Sequence, residues 1–350
     1  MRATPFLLGL VATLATATAA RAQRLTTPEA SPAARVQQTV GLTEMAVSYH
    51  RPGVGGRVIW GQLVPYGEVW RAGANENTTV TFSTPVTIEG KPLAAGTYGL
   101  HMLPAKDSWT VIFSKNSTSW GSFSYDEKED ALRVTVKPHV APFREALAYE
   151  FEDVKTDSAV LELDWEKLAV PVRIGTETKA LAMASFKDQL RTTPGFTYEG
   201  FYSAADWAVD NDGDLDQAMK WIDTSIQREA RFENWQTKSK ILKKQGKTAE
   251  ADKAMATALE VAGPLQLHFY ARQLLGEKKV DEAFAIFKTN AAKHPDLFFT
   301  KAGLARGYSA KKDYVSATKY MKEALVGAPE TQKKGMEALI KRLENKEDIN

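Results

Sequence analysis

The chain has 350 residues, with Lys+Arg 45 against Asp+Glu 43, a net charge of +2 and no Cys. So long a chain exceeds one ordinary core and predicts two domains, while the balanced charge excludes nucleic acid as the main partner. The lack of cysteine excludes disulfides, thiolate catalysis and Cys-ligated zinc, and hydrophobic content of 43% with charged content of 25% excludes global disorder.

Residues 1–22 read as a secretory signal peptide: Arg2 gives a positive start, Pro5 to Ala20 are apolar, and Ala20-Arg21-Ala22 is a small-x-small cleavage site. The apolar run is short and rich in Ala and Thr, which argues against a membrane anchor, and no other segment is apolar enough to span. The expected location is periplasmic or secreted, in a bacterium. Asn77-Thr78-Thr79 and Asn116-Ser117-Thr118 match the glycosylation sequon, with no consequence expected there.

Residues 23–35, with Pro28, Ser31 and Pro32, read as a linker. From 36 to 176 the chain alternates with period two, predicting strands at Val36–Val40, Met45–His50, Thr78–Phe82, Val86–Glu89, Thr97–Leu103, Trp109–Ser114, Leu132–Lys137, Ala148–Val154, Val160–Trp165 and Ala169–Ile174. Many short strands without intervening helices predict an antiparallel β-sandwich, with a barrel as the alternative. The Gly-rich, aromatic segment 53–77 fits no strand and is expected to be a long ordered excursion.

At Glu177 the spacing of apolar residues becomes three and four, which is helical. Residues 177–197 are expected to form a connecting helix, Thr178–Arg191, and a linker. Aligning Ala218, Ala251, Ala283 and Ala317 gives a period of about 33 residues, with Ile222, Met255, Phe287 and Met321 four residues on and Ser225, Ala258, Asn290 and Ala324 three later. About four helix–turn–helix units are predicted over 198–331, followed by a capping helix and tail at 332–350. The whole is therefore a multidomain β + α chain, a β-sandwich followed by an all-α solenoid.

Two resemblances attach to these halves. The turns Gly-Asp-Leu-Asp-Gln-Ala at 213–218, Gly-Lys-Thr-Ala-Glu-Ala at 246–251 and Lys-Lys-Asp-Tyr-Val-Ser-Ala at 311–317 resemble those of the tetratricopeptide repeat, although Asp206 and Lys301 stand at usually apolar or small positions. The strings Ser-Pro-Ala-Ala-Arg-Val at 31–36, Leu63-Val64-Pro65-Tyr66-Gly67, Val69-Trp70-Arg71-Ala72-Gly73-Ala74-Asn75-Glu76, Ala95-Gly96-Thr97-Tyr98, Trp109-Thr110-Val111-Ile112-Phe113 and Tyr125-Asp126 resemble an exported bacterial family, domain of unknown function 2911. That resemblance implies export, an all-β domain and frequent appended repeats, and no activity. His50 stands where the family commonly has Ser, which argues against His50 as a shared catalytic group.

Candidate ligand-binding residues concentrate near the excursion: Tyr49, Arg51, Arg57, Trp70, Arg71, Asn75 and Glu76, joined by His101, Trp120 and Tyr125. Guanidinium forks beside an Asn and a carboxylate can grip an anionic or sugar-like ligand, or else pair with Glu68 and Glu76 to pin the loop. Tyr49, Trp60, Tyr66 and Trp70, with Trp120 and Tyr125, form either an aromatic platform or part of the core. His50 and His101 with Glu76 or Asp126 would be the only metal or acid–base set, and Gly121-Ser122-Phe123-Ser124 lacks the Gly-x-Ser-x-Gly elbow of hydrolases. Asp210 to Asp216 alternate like a calcium loop, but Gly213 and Trp221 fall at the wrong places for one, so a repeat turn is expected.

No cofactor and no metal are expected. The leading reading is a non-catalytic binding protein of the cell envelope, whose excursion holds a small polar ligand and whose repeats dock a protein or peptide partner; Lys238, Lys240, Lys243, Lys244 and Lys247 either favour an acidic partner or, as the more usual role of such a run, solvate an outer helix face. The alternatives are a hydrolase using Glu76, His101 or Asp126 and a structural scaffold; the enzyme question leans towards no.

Overall fold

A computed structural model describes residues 27–350, so the signal-peptide reading lies outside the described residues. The chain divides into two compact units, the first ending at Thr176 and the second starting at Glu177. No helix among the described residues is long and apolar enough to cross a membrane.

The first unit is an antiparallel sandwich. Its larger sheet is built from β1 (Ala33–Val40), β2 (Thr43–His50), β3 (Thr79–Phe82), β6 (Gly96–Leu103), β7 (Trp109–Ser114) and β8 (Asp130–Val136), in that order. The smaller holds β5 (Lys91–Leu93), β4 (Val86–Ile88), β10 (Ser158–Thr176) and β9 (His139–Glu152). Alternation drives both: Met45, Val47 and Tyr49 point into the core with Val80, Phe82, Leu100 and Met102, opposite Leu147, Leu161, Leu163, Val170 and Val172 of the smaller sheet. Burying such a set, at roughly 25 cal/mol per Å² of apolar surface, is what holds a cysteine-free sandwich together.

Three expectations are corrected here. Residues 33–35 are strand rather than linker, and Pro32 ahead of them accepts the Arg51 N–H at 3.0 Å. The two strands expected at 160–165 and 169–174 are one, β10, interrupted at Glu166, whose φ of 57° marks a bulge where the pairing with β9 slips. β9 starts at His139, well before the expected Ala148, because its first half is exposed and carries no alternation.

The excursion 51–78 runs from β2 across to the smaller sheet. Val54 N–H donates to Glu145 O and Leu147 N–H to Pro52 O, so this stretch covers the free edge of β9. It then returns to β6, where Trp70 and Met102 exchange backbone hydrogen bonds of 2.8 Å.

The second unit is a helical-repeat stack. α1 (Thr178–Gln189) packs Phe186 against Trp207 and Trp221, so the helix expected to be a connector caps the stack instead. Four tetratricopeptide-like pairs follow: α2 (Tyr198–Asp210) with α3 (Leu215–Arg228), α4 (Phe232–Lys244) with α5 (Thr248–Val261), α6 (Pro264–Gly276) with α7 (Val280–Lys293), and α8 (Phe298–Ala310) with α9 (Tyr314–Val326). α10 (Glu330–Glu344) closes the stack. The four repeat alanines, Ala218, Ala251, Ala283 and Ala317, are fully buried, and the bulky residues following them fill the groove, with Met255 only half-buried. α8 lies so near α7 that a Cβ on Gly303 would sit 2.6 Å from the Phe287 ring. First helices of successive units pack directly, α2 on α4 and α6 on α8, more closely than second helices do, so the first helices form the inner row.

Candidate functional site

The pleat divides the residues expected near the excursion into two sets on opposite faces of the larger sheet. Tyr49 points inward, 6% exposed. Its hydroxyl accepts the Tyr149 N–H at 3.1 Å, and the Tyr149 hydroxyl donates to Ala72 O at 2.8 Å. Trp70 packs among Trp60, Trp109 and Trp165, stacked on Trp165 at 5.9 Å and edge-on to Trp60 at the same distance. Of the two readings of Tyr49, Trp60 and Trp70, platform or core, the structure gives core, because an indole or phenol on the inner side of a sandwich has only other core groups to meet.

The arginines split likewise. Arg51 Nε donates to Leu147 O at 2.8 Å, and Arg57 donates to Val54 O and Gly53 O, its own loop. Both tie the excursion down, and neither meets Glu68 or Glu76 in an ion pair. Arg71 Nη1 donates to Asn75 O at 2.9 Å while its guanidinium lies 5.7 Å from the centre of the Phe123 ring. Tyr66 is exposed.

The outward set occupies one polar surface. His50, next to inward Tyr49, faces out with its Nε2 3.2 Å from Glu29 Oε2 and 3.3 Å from Glu76 Oε2. Asn75, in the left-handed region at φ 56°, donates from Nδ2 to the same Glu29 carboxylate at 3.1 Å. Sequence reasoning missed Glu29, which lies in the segment read as linker.

Farther along that face His101 on β6 is 2% exposed, with Nδ1 2.8 Å from Ser122 Oγ; burial holds its pKa down to about 4, so the ring is neutral at ordinary pH. Tyr125 packs on the His101 ring and donates its hydroxyl to Asp130 Oδ2 at 2.7 Å. Burial first, then that bond, pushes the Tyr125 pKa up. Asp130 itself is raised by burial, against the pull of Tyr125 and Arg133, and its buried Oδ1 has no partner among the described residues. Arg133 meets Asp130 at 3.6 Å and also pairs with Glu127. Asp126 is spent as an N-cap, accepting from Lys128 N–H.

The metal or acid–base set of His50 and His101 does not assemble, because β3 lies between β2 and β6, two strand spacings or roughly 10 Å. No cluster of three or more His, Asp or Glu residues fit for a metal ion occurs among the described residues. Ser122 and His101 form a hydroxyl–imidazole pair that sequence reasoning did not connect, since only the fold of 115–126 over β6 brings them together. Around them stand two exposed aromatics, Trp120 at 60% and Phe123 at 84% exposed, with Arg71 beside them. A cavity of about 430 Å³ lies elsewhere in the sandwich, lined by Thr87, Asp153, Lys155 and Arg173.

In the solenoid the carboxylates of 210–216 are engaged by the protein. Asp214 caps α3, Asp212 accepts from Lys244 Nζ at 2.7 Å, Asp216 accepts from Gln245 and Asp210 meets Lys240 at 3.4 Å. Lys238 is likewise paired, with Asp223 at 2.7 Å. Of the two readings of this lysine face, the acidic-partner one loses ground, since Lys238, Lys240 and Lys244 are paired with neighbouring aspartates. The inner row offers something else: a cavity of about 440 Å³ between α6, α8 and α10, with Phe298, Phe299, Met336 and Leu339 on its walls and Arg272 and Arg306 at its rim.

Residues 31–174 match the model of a family described as "Protein of unknown function (DUF2911)". No curated protein matches the chain. Among solved structures the chain is similar to the APC/C hetero-tetramer Cut9-Hcn1, at 14% identity and TM-score 0.29 over 48% of this chain and 33% of that one. It is also similar to pilF of Pseudomonas aeruginosa, at 13% identity and TM-score 0.30 over 44% of this chain and 70% of that one. The chain spans 33% of the length of the first of these.

Proposed function

We propose that this is an exported, non-catalytic interaction protein whose helical repeats dock a segment of a partner protein on their inner face. The observation that carries this reading is the cavity of about 440 Å³ between α6, α8 and α10, where apolar side chains of α8 and α10 face His268 and Arg272 of α6 across a recess wide enough for peptide side chains. Stacked repeats spend their outer helices on solvent and leave the inner row free for such contacts.

A photo-crosslinking residue in place of Gln332, on the cavity rim, is expected to capture a partner in the producing cell, whereas one in place of Val315, 85% exposed on α9, is not. Equal capture at both positions, or none at Gln332, overturns inner-face docking. Export rests on the leader read at residues 1–22 and is tested by sequencing the N-terminus of the protein recovered from the periplasm or medium; a start at Gln23 is expected.

A second reading, a ligand site on the β domain, is favoured by one feature: Phe123 is exposed against the Arg71 guanidinium, with Trp120 exposed in the same loop, a grouping suited to a sugar ring or an anion. Thermal-shift screening of sugars and anions against the wild type and Trp120→Ala tests it; a hit unaffected by the substitution would remove this loop from consideration.

A further inference from the structure

We propose that the ligand of the inner face is an extended acidic segment of a partner protein, seated with a carboxylate on Arg272 and an aliphatic side chain in the adjoining cavity. This rests on the docking reading above and names the chemistry of its ligand.

The repeat register is the first ground. α2, α4, α6 and α8 each have 13 residues, and their ninth residues are Asp206, Lys240, Arg272 and Arg306. These sit at one level of the inner row. The first two neutralise each other across 3.3 Å. The second two are like charges on helices that pack together, a repulsion that Asp348 beside Arg306 offsets in part and that a further anion on Arg272 would relieve.

Arg272 is exposed and makes no hydrogen bond or ion pair among the described residues. Arg306 is half-buried, and its pKa is lowered by burial first and then by the charges of Arg272 and Arg342, against the pull of Asp348. Two cavities, of about 440 and 370 Å³, share both arginines; Asp348 lines the smaller, and the larger has no carboxylate in its lining.

The protein's own segment 345–350 shows what this wall accepts. Arg306 Nη1 donates to Ile349 O at 2.6 Å and Arg342 Nη2 to Asp348 O at 2.5 Å. The Asp348 carboxylate accepts from Ser309 at 2.7 Å, and Ile349 is 4% exposed against α8 and α10. An Asp-Ile-Asn stretch thus lies along α8 with its carbonyls on arginines and its aliphatic side chain buried. It leaves Arg272 and the larger cavity open, room for a second segment of the same chemistry.

The test is fluorescence anisotropy of the whole mature protein with a short labelled peptide of alternating Asp and Leu, beside Asn–Leu and Lys–Leu versions. Binding is expected for the Asp peptide, weaker by about tenfold for the Asn peptide and absent for the Lys peptide, and weakened by salt. Arg272→Gln is expected to weaken it about tenfold while leaving the melting temperature unchanged or higher, since repulsion with Arg306 is relieved; Arg272→Lys should fall between. Lys253→Gln, on the outer helix α5, is the control and is expected to change nothing. Equal binding of the Asp and Asn peptides, no binding of the Asp peptide, or a destabilised Arg272→Gln that binds as the wild type does, each overturns the proposal. Capture of a partner at Gln332 alongside a failed Asp peptide would show that the chemistry is wrong and the docking right; failure of both would remove the docking reading as well.

Discussion

The hydroxyl of Ser122 lies 2.8 Å from Nδ1 of His101, and that bond is what lets an imidazole sit 2% exposed on the outer side of a β-sheet. The ring is covered by the 115–126 loop, not by the sandwich core. Two energies follow from this placement, one from the hydrogen bond and one from the protonation equilibrium.

The protonation effect has a definite sign. Burial holds the folded pKa of His101 at about 4, below the roughly 6.5 of an unfolded imidazole, so the unfolded chain binds the proton first. The stabilisation is fully present above about pH 6.5, is lost progressively as the pH falls and is gone near 4, amounting to at most about 3 kcal/mol. Hydrogen exchange of peptides covering β6, corrected for intrinsic rates, is expected to show protection falling between pH 7 and 5 in the wild type and holding in His101→Gln. An equal fall in the variant would place the acid lability elsewhere. His268, also held at about 4, makes the same prediction independently for α6.

The Ser122 bond is checked by Ser122→Ala, which leaves a buried ring nitrogen unpaired. A loss of about 1–3 kcal/mol of stability is expected at pH 7, read from the shift in denaturant midpoint for the β domain. A neutral outcome would mean that water replaces the hydroxyl.

Much of this arrangement was legible in the sequence, for physical reasons that also mark where legibility stops. Alternation in Met45–His50 is readable because Met45, Val47 and Tyr49 share the core face, while Trp109–Ser114 reads as a strand from its β-branched and aromatic run, buried on both faces at Val111, Ile112 and Phe113; both strands fall where expected. The first half of β9 has no buried face, and β5 is three residues with Pro92 in its middle, so neither carries a period to read. The candidate site failed differently. Tyr49 and Glu76 stand together among the candidates because both lie near the ends of the excursion, yet the pleat sends Tyr49 to the core and leaves Glu76 with His50 and Glu29 on the outer face. Arg272 and Arg306 carry no periodic signal, because the repeat period is marked by the buried alanines of second helices and not by the variable ninth residue of first helices.

The Tyr49–Tyr149 pair should behave as a latch on the excursion. Tyr149 donates to the carbonyl of Ala72, a residue held at φ 52°, and Tyr49 accepts from the Tyr149 backbone. Tyr49→Phe strands a buried N–H and is expected to cost about 1–3 kcal/mol. Tyr149→Phe is expected to cost less, about 1 kcal/mol, because Thr78 Oγ1 also donates to Ala72 O, at 3.2 Å. Denaturant melts of both variants and the double mutant give the ordering; a costlier Tyr149→Phe would show that Thr78 does not share the load.

Gly121 tests whether Arg71 is held by the loop it crosses. Its φ is 65°, and a Cβ there would lie 2.4 Å from Arg71 Nη1. Gly121→Ala therefore combines left-handed strain with a displaced guanidinium and is expected to cost more than about 1 kcal/mol. In the double variant with Arg71→Ala the steric part disappears, so the two costs should sum to more than the double variant loses. Additive costs would mean that Arg71 moves aside freely.

The solenoid offers a contrast between two residues at equivalent repeat positions. Ser225 and Asn290 each reach from a second helix to the first carbonyl of their own unit, Ser225 to Tyr198 O at 3.0 Å and Asn290 to Pro264 O at 2.8 Å; the other two units have Ala there. Ser225 also accepts from the buried Asn234 at 3.2 Å, so Ser225→Ala breaks a relay and is expected to cost about 1–2 kcal/mol. Asn290 carries a buried Oδ1 with no partner among the described residues, and Asn290→Ala removes that burden together with one hydrogen bond. Its net effect is expected to lie within about 1 kcal/mol of zero. Thermal melts followed by helical circular dichroism measure both, and a cost for Asn290→Ala as large as that for Ser225→Ala would mean that the Oδ1 is satisfied by bound water.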